Sequence, residues 1–253
     1  MINQTYQQKK IINTYLIIKL NELNKLYKIY FVTNLMEYLQ NCLYINLEHR
    51  KDRLSHIEKQ MKLLGISGIR FNAIKTNDGA IGCTMSHIKC LEIAKERNWD
   101  SVFICEDDIM FLDIDTFKTN LKRFMESDID WDVCIVGGNN GPPFERVSDF
   151  CIRTFNCQTT TGYIVKKNFY DIMITNFRES VTKLIKYPIK KNLYAIDVYW
   201  KRLQKSKRWY MITPVTVIQI EGYSDIEHRD VDYSAYMMDI EKKWLNIPNK
   251  MLI

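Results

Sequence analysis

A mixed α/β fold with a mainly parallel central sheet is predicted by three observations. Short apolar runs of strand length alternate along the chain with segments of helical periodicity. One run, Val102 to Cys105, has no polar alternation, as expected of a strand covered on both faces. That run passes at once into Glu106, Asp107 and Asp108, at the edge where open α/β sheets place their ligands.

Taken in order, residues 1–40 carry an amphipathic pattern, with Ile12, Tyr15, Leu16, Leu20, Leu23, Leu26, Tyr27 and Tyr30 mostly three or four apart. They contain no Gly or Pro and read as a helical extension that packs on the domain or forms a homodimer with a second chain. A domain over 41–253 follows. Residues 42–47 form the first strand candidate, and the helix after it aligns Leu54, Ile57, Met61 and Leu64 before Gly65 stops it. Ile69 to Ile74 is a second strand. A helix through Met85, Ile88, Leu91 and Ile93, beginning after Gly82, leads to the acidic strand. Asp115 is the expected cap of a helix bearing Phe117, Leu121 and Phe124. Val133 to Val136 is a fourth strand, and Gly137 to Pro143 is the densest loop signal, expected on the same sheet edge as the carboxylates. Strands at 151–155 and 163–165, helices near 167–178 and 193–205, strands at 209–212 and 215–220 and a helix over 233–244 complete the reading.

Composition narrows the function. The chain of 253 residues is 46% hydrophobic and 26% charged, ordinary for a globular protein. Seven cysteines, odd in number and without Cys-X-X-Cys spacing, read as reduced core residues. The four histidines make no zinc pattern. No secretory signal and no transmembrane span are read, so a cytoplasmic protein is expected. The net charge of +6 is concentrated in residues 183–191 and 201–208, where a solvated helix face or an anionic small substrate is favoured over nucleic acid.

The chemistry starts at the acidic turn. Two carboxylates about 5 Å apart repel by roughly 3 kcal/mol at an effective dielectric near 20, so the triplet favours full solvation or a hard cation such as Mn²⁺ or Mg²⁺. Asp108 and then Glu106 are the first candidate ligands, since alternate residues of an extended segment point the same way. Arg50 and Arg53 offer forked donors to phosphate or uracil, with Asn46 reading the base or ribose; helix-surface charges are the alternative. Ser86 and His87 follow Gly82, where a helix start would offer free amides.

Four pieces stand in fixed order: Ile-Asn-Leu-Glu-His-Arg-Lys-Asp-Arg-Leu from Ile45, Gly-Cys-Thr-Met-Ser-His from Gly82, Glu106 to Asp108, and Ser224-Asp225-Ile226. Together they resemble glycosyltransferase family 25, which includes bacterial lipopolysaccharide glycosyltransferases and collagen hydroxylysine galactosyltransferases. The resemblance runs from about Cys42 to about His228. It implies a GT-A type fold, a nucleotide-sugar donor, usually a UDP-sugar, and inverting transfer to a hydroxyl of a glycan or hydroxylated protein. It implies that Glu106 to Asp108 stands for the Asp-X-Asp motif, with Asp107 among the catalytic carboxylates. Asp197, in an apolar stretch, is the candidate base; Ala195 replaces the proline of the family pattern, and a helix N-cap is the other reading. Gly162, with Thr160 and Thr161, resembles the small-residue stretch near the sugar. Asp225 and His228 are expected to complete the donor or metal site, with His228 a third metal ligand. Trp200, Trp209 and Tyr223 are either sugar-stacking or core residues. The alternative function is a catalytically inactive nucleotide-sugar or glycan-binding module.

Overall fold

The computed structural model describes residues 38–243 and Lys19. All of these except Lys19 lie in the unit Tyr38–Ile253. The helical extension expected over 1–40, and the homodimer expected through it, lie outside the described residues apart from Lys19 and Tyr38–Gln40, which are helical.

The sheet is built first from β1 (Cys42–Asn46), α1 (Lys51–Leu64), β2 (Ile69–Asn72), α2 (Gly79–Glu96) and β3 (Ser101–Glu106). β1 is buried throughout and pairs in parallel with β2 on one side and β3 on the other. The chain thus steps off both sides of β1, and the reversal falls at the carboxyl ends of β1 and β3, the usual place for a ligand crevice. β4 (Ile109–Phe111), α3 (Ile114–Met125), β5 (Val133–Asn140), β6 (Phe144–Arg146), β7 (Cys151–Thr154) and β8 (Cys157–Lys166) follow. After α4 (Tyr170–Lys186) come three short helices, α5 (Lys191–Tyr194), α6 (Ile196–Tyr199) and α7 (Lys201–Gln204), then β9 (Trp209–Ile212) and β10 (Val217–Gln219). A hairpin of β11 (Gly222–Ser224) and β12 (Arg229–Val231) precedes α8 (Ser234–Met238).

The eight-stranded sheet has the order β2-β1-β3-β8-β5-β9-β7-β6. Antiparallel β8 lies between β3 and β5, and antiparallel β7 between β9 and β6. Six of the eight strands therefore run one way, which is the mainly parallel α/β sheet expected. Its core contains Leu43, Ile104, Ile135, Tyr163, Trp200 and Trp209. Trp200 and Trp209 are fully buried, so both are packing residues, while Tyr223 is 45% exposed. All seven cysteines are free and six are buried, as the composition led one to expect.

Several boundaries differ from expectation for identifiable reasons. The Gly137–Asn140 loop signal is strand: these residues extend β5, with Gly137 opposite Gly162 and Asn140 opposite Cys157 on β8. Cys105 also faces Gly162, so this end of β5 does lie level with the acidic turn. α3 is capped by Asp113, whose carboxylate accepts from the Thr116 amide, and Asp115 falls in its first turn. The single helix expected over 193–205 is three pieces, and the last helix ends at Met238. Among the described residues no helix is long and apolar enough to cross a membrane.

α2 begins at Gly79 because Asp78 caps it, its carboxylate accepting from the Ala80 amide at 2.9 Å. Gly82 is thus inside the helix, and it is small for a packing reason: a Cβ there would collide with the Ile74 carbonyl oxygen. Gly82→Ala is expected to destabilise the fold by about 1–3 kcal/mol despite the better helix propensity of Ala, read as a lower denaturant midpoint. An unchanged midpoint would show that the 73–78 loop yields freely.

Candidate functional site

A cavity of about 410 Å³ opens at the carboxyl ends of β1 and β3. Its walls come from four places: Leu47 to Arg53 after β1, Ala73 to Gly79 before α2, the acidic turn after β3, and Ser224 to His228 around the β11–β12 hairpin. Apolar burial of β3 fixes where the turn emerges, because Val102 to Cys105 are each fully buried. Asp107 and Asp108 are carried inward with it and are only 7% and 3% exposed.

Arg53 neutralises this pair. From the first turn of α1 it donates to Asp108 Oδ2 at 2.6 Å and to Asp107 Oδ1 at 3.2 Å, and its other nitrogen reaches the Tyr223 carbonyl. Arg50 binds Asp225 at 2.7 Å, Asp52 at 2.9 Å and the same Tyr223 carbonyl, so the two arginines tie the hairpin to the first strand. Burial pushes Asp108 up to about 7, with the charge of Glu106 adding to it and Arg53 opposing it. Burial also raises Asp107 against the Asn46 and Arg53 hydrogen bonds. Burial alone would raise Asp225, but its Arg50 hydrogen bond holds it low. Gln219, which nothing in the local sequence marked, donates to Asp108 Oδ2 at 3.0 Å from β10. Asp108 Oδ1 is buried without a hydrogen-bond partner.

Glu106 forms the floor. Its Oε1 accepts from the Thr160 hydroxyl at 2.6 Å and lies 3.3 Å from His87 Nε2 and 3.6 Å from Cys83 Sγ. Burial would raise its pKa, yet the hydrogen bond from His87 and the one from Thr160 bring it below the usual carboxylate value. Thr159, the next residue along β8, has φ of 64°, a costly conformation for a β-branched residue. Its amide donates to Asp197 Oδ2 at 3.1 Å. Thr159 and Thr160 therefore join Asp197 to Glu106 through adjacent residues. Burial raises Asp197, the Thr159 amide opposes the rise and the charge of Glu106 adds to it.

Some expectations change on this geometry. Asn46 does not line the cavity: its amide donates to Asp107 Oδ2 and the Arg50 carbonyl, its oxygen accepts from Arg70, and it is 1% exposed. Ser86 and His87 are not at a helix start. The Ser86 hydroxyl donates to the Gly82 carbonyl and accepts from the Ile74 amide, while His87 is wholly buried. Gly162 is small because a Cβ would meet Ile109 Cδ1 at 2.8 Å, which is packing of β8 against β4 of the separate two-stranded sheet. Asp197 is not a cap, since Ala195 occupies that position of α6. His228 borders the cavity from an exposed turn with φ of 56° and does not group with Glu106 and Asp108 at ligand spacing. Asp107 is a partner of Arg53 and Asn46. Among the described residues one cluster of three ligand side chains does form, Cys83, His87 and Glu106.

The fold and this cavity define an α/β enzyme with an acidic turn at the carboxyl edge of its sheet. Residues 76–191 match the family model for glycosyltransferase family 25 (LPS biosynthesis protein), and the protein is a glycosyltransferase. No curated protein matches the sequence. Among solved structures, it is similar to a glycosyltransferase involved in the glycosylation of the major capsid of PBCV-1, at 9% identity and a TM-score of 0.48, covering 75% of this chain and 96% of that one. It is also similar to mannose-1-phosphate geranyltransferase from Thermus thermophilus, at 9% identity and a TM-score of 0.41, covering 69% and 73% of the two chains. A third is a Drosophila beta-1,4-galactosyltransferase 7 mutant in complex with manganese, UDP-Gal and xylobiose, at 13% identity and a TM-score of 0.31, covering 53% and 52%.

Proposed function

We propose that this glycosyltransferase moves a sugar, with inversion, from a UDP-sugar to a hydroxyl of a glycan or protein, and that it uses Mn²⁺ or Mg²⁺. The observation that carries the reading is the unpartnered, buried Asp108 Oδ1 in a cavity whose lining sets Arg50, Arg53 and Lys75 against Glu106, Asp107, Asp108 and Asp225. Three cations against four carboxylates leave a formal negative excess, which opposes an anionic diphosphate until a cation is added. Asp108, through the oxygen Arg53 leaves free, and Glu106 are the residues that would hold such an ion. A divalent ion there supplies Lewis-acid stabilisation of the departing diphosphate.

The chain's own residues do the rest. Arg50 and Arg53 present guanidinium groups at the cavity wall, fixed by Asp225, Asp107 and Asp108, so phosphate contact needs little reorganisation. Asp225 acts through Arg50, and His228 lines the outer rim. To Asp197 we assign the role of taking the acceptor hydroxyl proton: Thr159 and Thr160 connect its carboxylate to Glu106 at the cavity floor, and burial shifts it toward a more basic value.

The test is UDP release from a panel of UDP-sugars, with and without Mn²⁺, in the wild type and Asp108→Asn. Mn²⁺-dependent release from one donor, lowered about a hundredfold or more by the substitution, is expected, since metal stabilisation is worth several kcal/mol and each ~1.4 kcal/mol is tenfold. Release and donor binding indifferent to both metal and mutation would overturn the reading. The same variant reports on stability. Asp108 has a folded pKa of about 7 against an ordinary 3.8, so its protonated form favours the fold. That contribution is complete below about pH 4 and is lost as pH rises through about 7. Metal-free Asp108→Asn is therefore expected to melt higher than the wild type at about pH 8 and level with it near pH 4; a lower melting temperature at the higher pH contradicts this account.

A further inference from the structure

Cys83 and His87 are four residues apart on one face of α2, and Glu106 ends the strand that this face covers. The geometry points to a Zn²⁺ site formed by Cys83 Sγ, His87 Nε2 and Glu106, distinct in donor chemistry from the all-oxygen set of the acidic turn. The three ligand atoms lie within 4.8 Å of one another. Tetrahedral zinc with arms of about 2.0–2.3 Å separates its ligand atoms by roughly 3.3–3.6 Å. His87 Nε2 and Cys83 Sγ stand 3.3 Å and 3.6 Å from Glu106 Oε1, so two edges of that tetrahedron already exist.

The surroundings are those of an oriented metal ligand. The other ring nitrogen of His87, Nδ1, is hydrogen-bonded to the Tyr163 hydroxyl at 2.8 Å, and the two rings stack at 5.7 Å with 24° between their planes. This contact turns Nε2 toward Glu106 and Cys83, as the outer partners of zinc-bound imidazoles do. Thr160 holds the carboxylate in the same way. Cys83 and Glu106 both border the cavity, so a fourth position opens onto it, the arrangement of a zinc site with an exchangeable ligand. Thiolate and imidazole favour zinc over Mn²⁺ or Mg²⁺. On binding, the Cys83 proton leaves to solvent and the His87 proton passes from Nε2 to Nδ1, which then donates to the Tyr163 hydroxyl, so that the Sγ–H and Nε2–H contacts to Glu106 are replaced by metal bonds. Zinc here also engages Glu106, which connects it to the donor side of the cavity.

Co²⁺ serves as the spectroscopic probe, and no nucleotide is needed, so the result is independent of the donor reading. Titration of the metal-stripped protein is expected to give a thiolate-to-cobalt charge-transfer band saturating at one equivalent and erased by Zn²⁺. The band is expected to vanish in Cys83→Ser, to persist in Asp108→Asn, and to require about tenfold more Co²⁺ in Tyr163→Phe. A second measurement needs no variant: Cys83 is the one cysteine that is not buried, and Zn²⁺ is expected to slow its alkylation at least about tenfold, read by peptide mass spectrometry. Absence of the band in the wild type, an unchanged band in Cys83→Ser, or alkylation of Cys83 at the same rate with and without Zn²⁺ would overturn the proposal.

Discussion

If Asp197 is the proposed base, Asp197→Asn is expected to lower turnover of the proposed UDP-sugar donor about 10²- to 10⁴-fold, since general-base catalysis is worth that much, while leaving donor binding within a few-fold, because Asp197 lies outside the lining of the cavity assigned to the donor. The argument begins with an amide. Thr159 takes an unfavourable backbone conformation, and in doing so aims its N–H at Asp197 Oδ2. One residue on, the Thr160 hydroxyl binds Glu106. Asp197 and the floor of the cavity are therefore located by the same two residues of β8. Asn preserves the shape of the side chain but takes no proton. A base must be ionised, so the wild-type rate is expected to rise with pH through the raised pKa of Asp197, and this limb should be missing in the variant. Isotherms for UDP-sugar binding separate the two steps. A variant that keeps its rate within a few-fold, or keeps the acidic limb of its pH profile, would remove Asp197 from the chemistry.

What was legible in the sequence was local. The apolar run from Val102 to Cys105 followed by three carboxylates specifies a buried strand and where it ends, because both signals are contiguous. The relation of Arg53 to that turn was half legible. Its place one turn from Arg50 on a helix was readable, but its partners, 54 and 55 residues away, are fixed by the parallel pairing of β1 with β3. Asn46 shows the same limit: its residue type suits base recognition, yet its neighbours in space consume its hydrogen bonds. Gly137 to Asn140 shows tertiary context overriding propensity, since β8 supplies a ladder that Gly and Asn would not form alone. The cluster of Cys83, His87 and Glu106 gave no contiguous pattern, because one ligand comes from a strand and two from a helix. A Cys-X-X-X-His spacing was the one signal that pointed to it.

The second large effect concerns stability, and it follows from the burial of the acidic turn. Arg53→Ala is expected to destabilise the metal-free protein by about 3–5 kcal/mol at about pH 8, the cost of leaving a buried carboxylate pair without its cation. Arg53 is 12% exposed in its side chain, Asp107 10% and Asp108 4%, so water screens little of the interaction. The loss must depend on pH. Asp108 takes up a proton below about 7, and with one carboxylate neutral the missing guanidinium matters less, so the difference from wild type narrows as pH falls. It must also depend on metal. If Asp108 and Glu106 hold a divalent ion, Mn²⁺ supplies positive charge where Arg53 no longer does, and should raise the denaturant midpoint of Arg53→Ala by more than that of the wild type. The double variant Arg53→Ala with Asp108→Asn separates lost packing from unpaired charge: restored stability identifies the charge. Were the single variant to lose less than about 1 kcal/mol, the worth of an exposed ion pair, with no dependence on pH or Mn²⁺, the turn would be adequately solvated without Arg53 and the electrostatic basis for placing a cation there would fall with it.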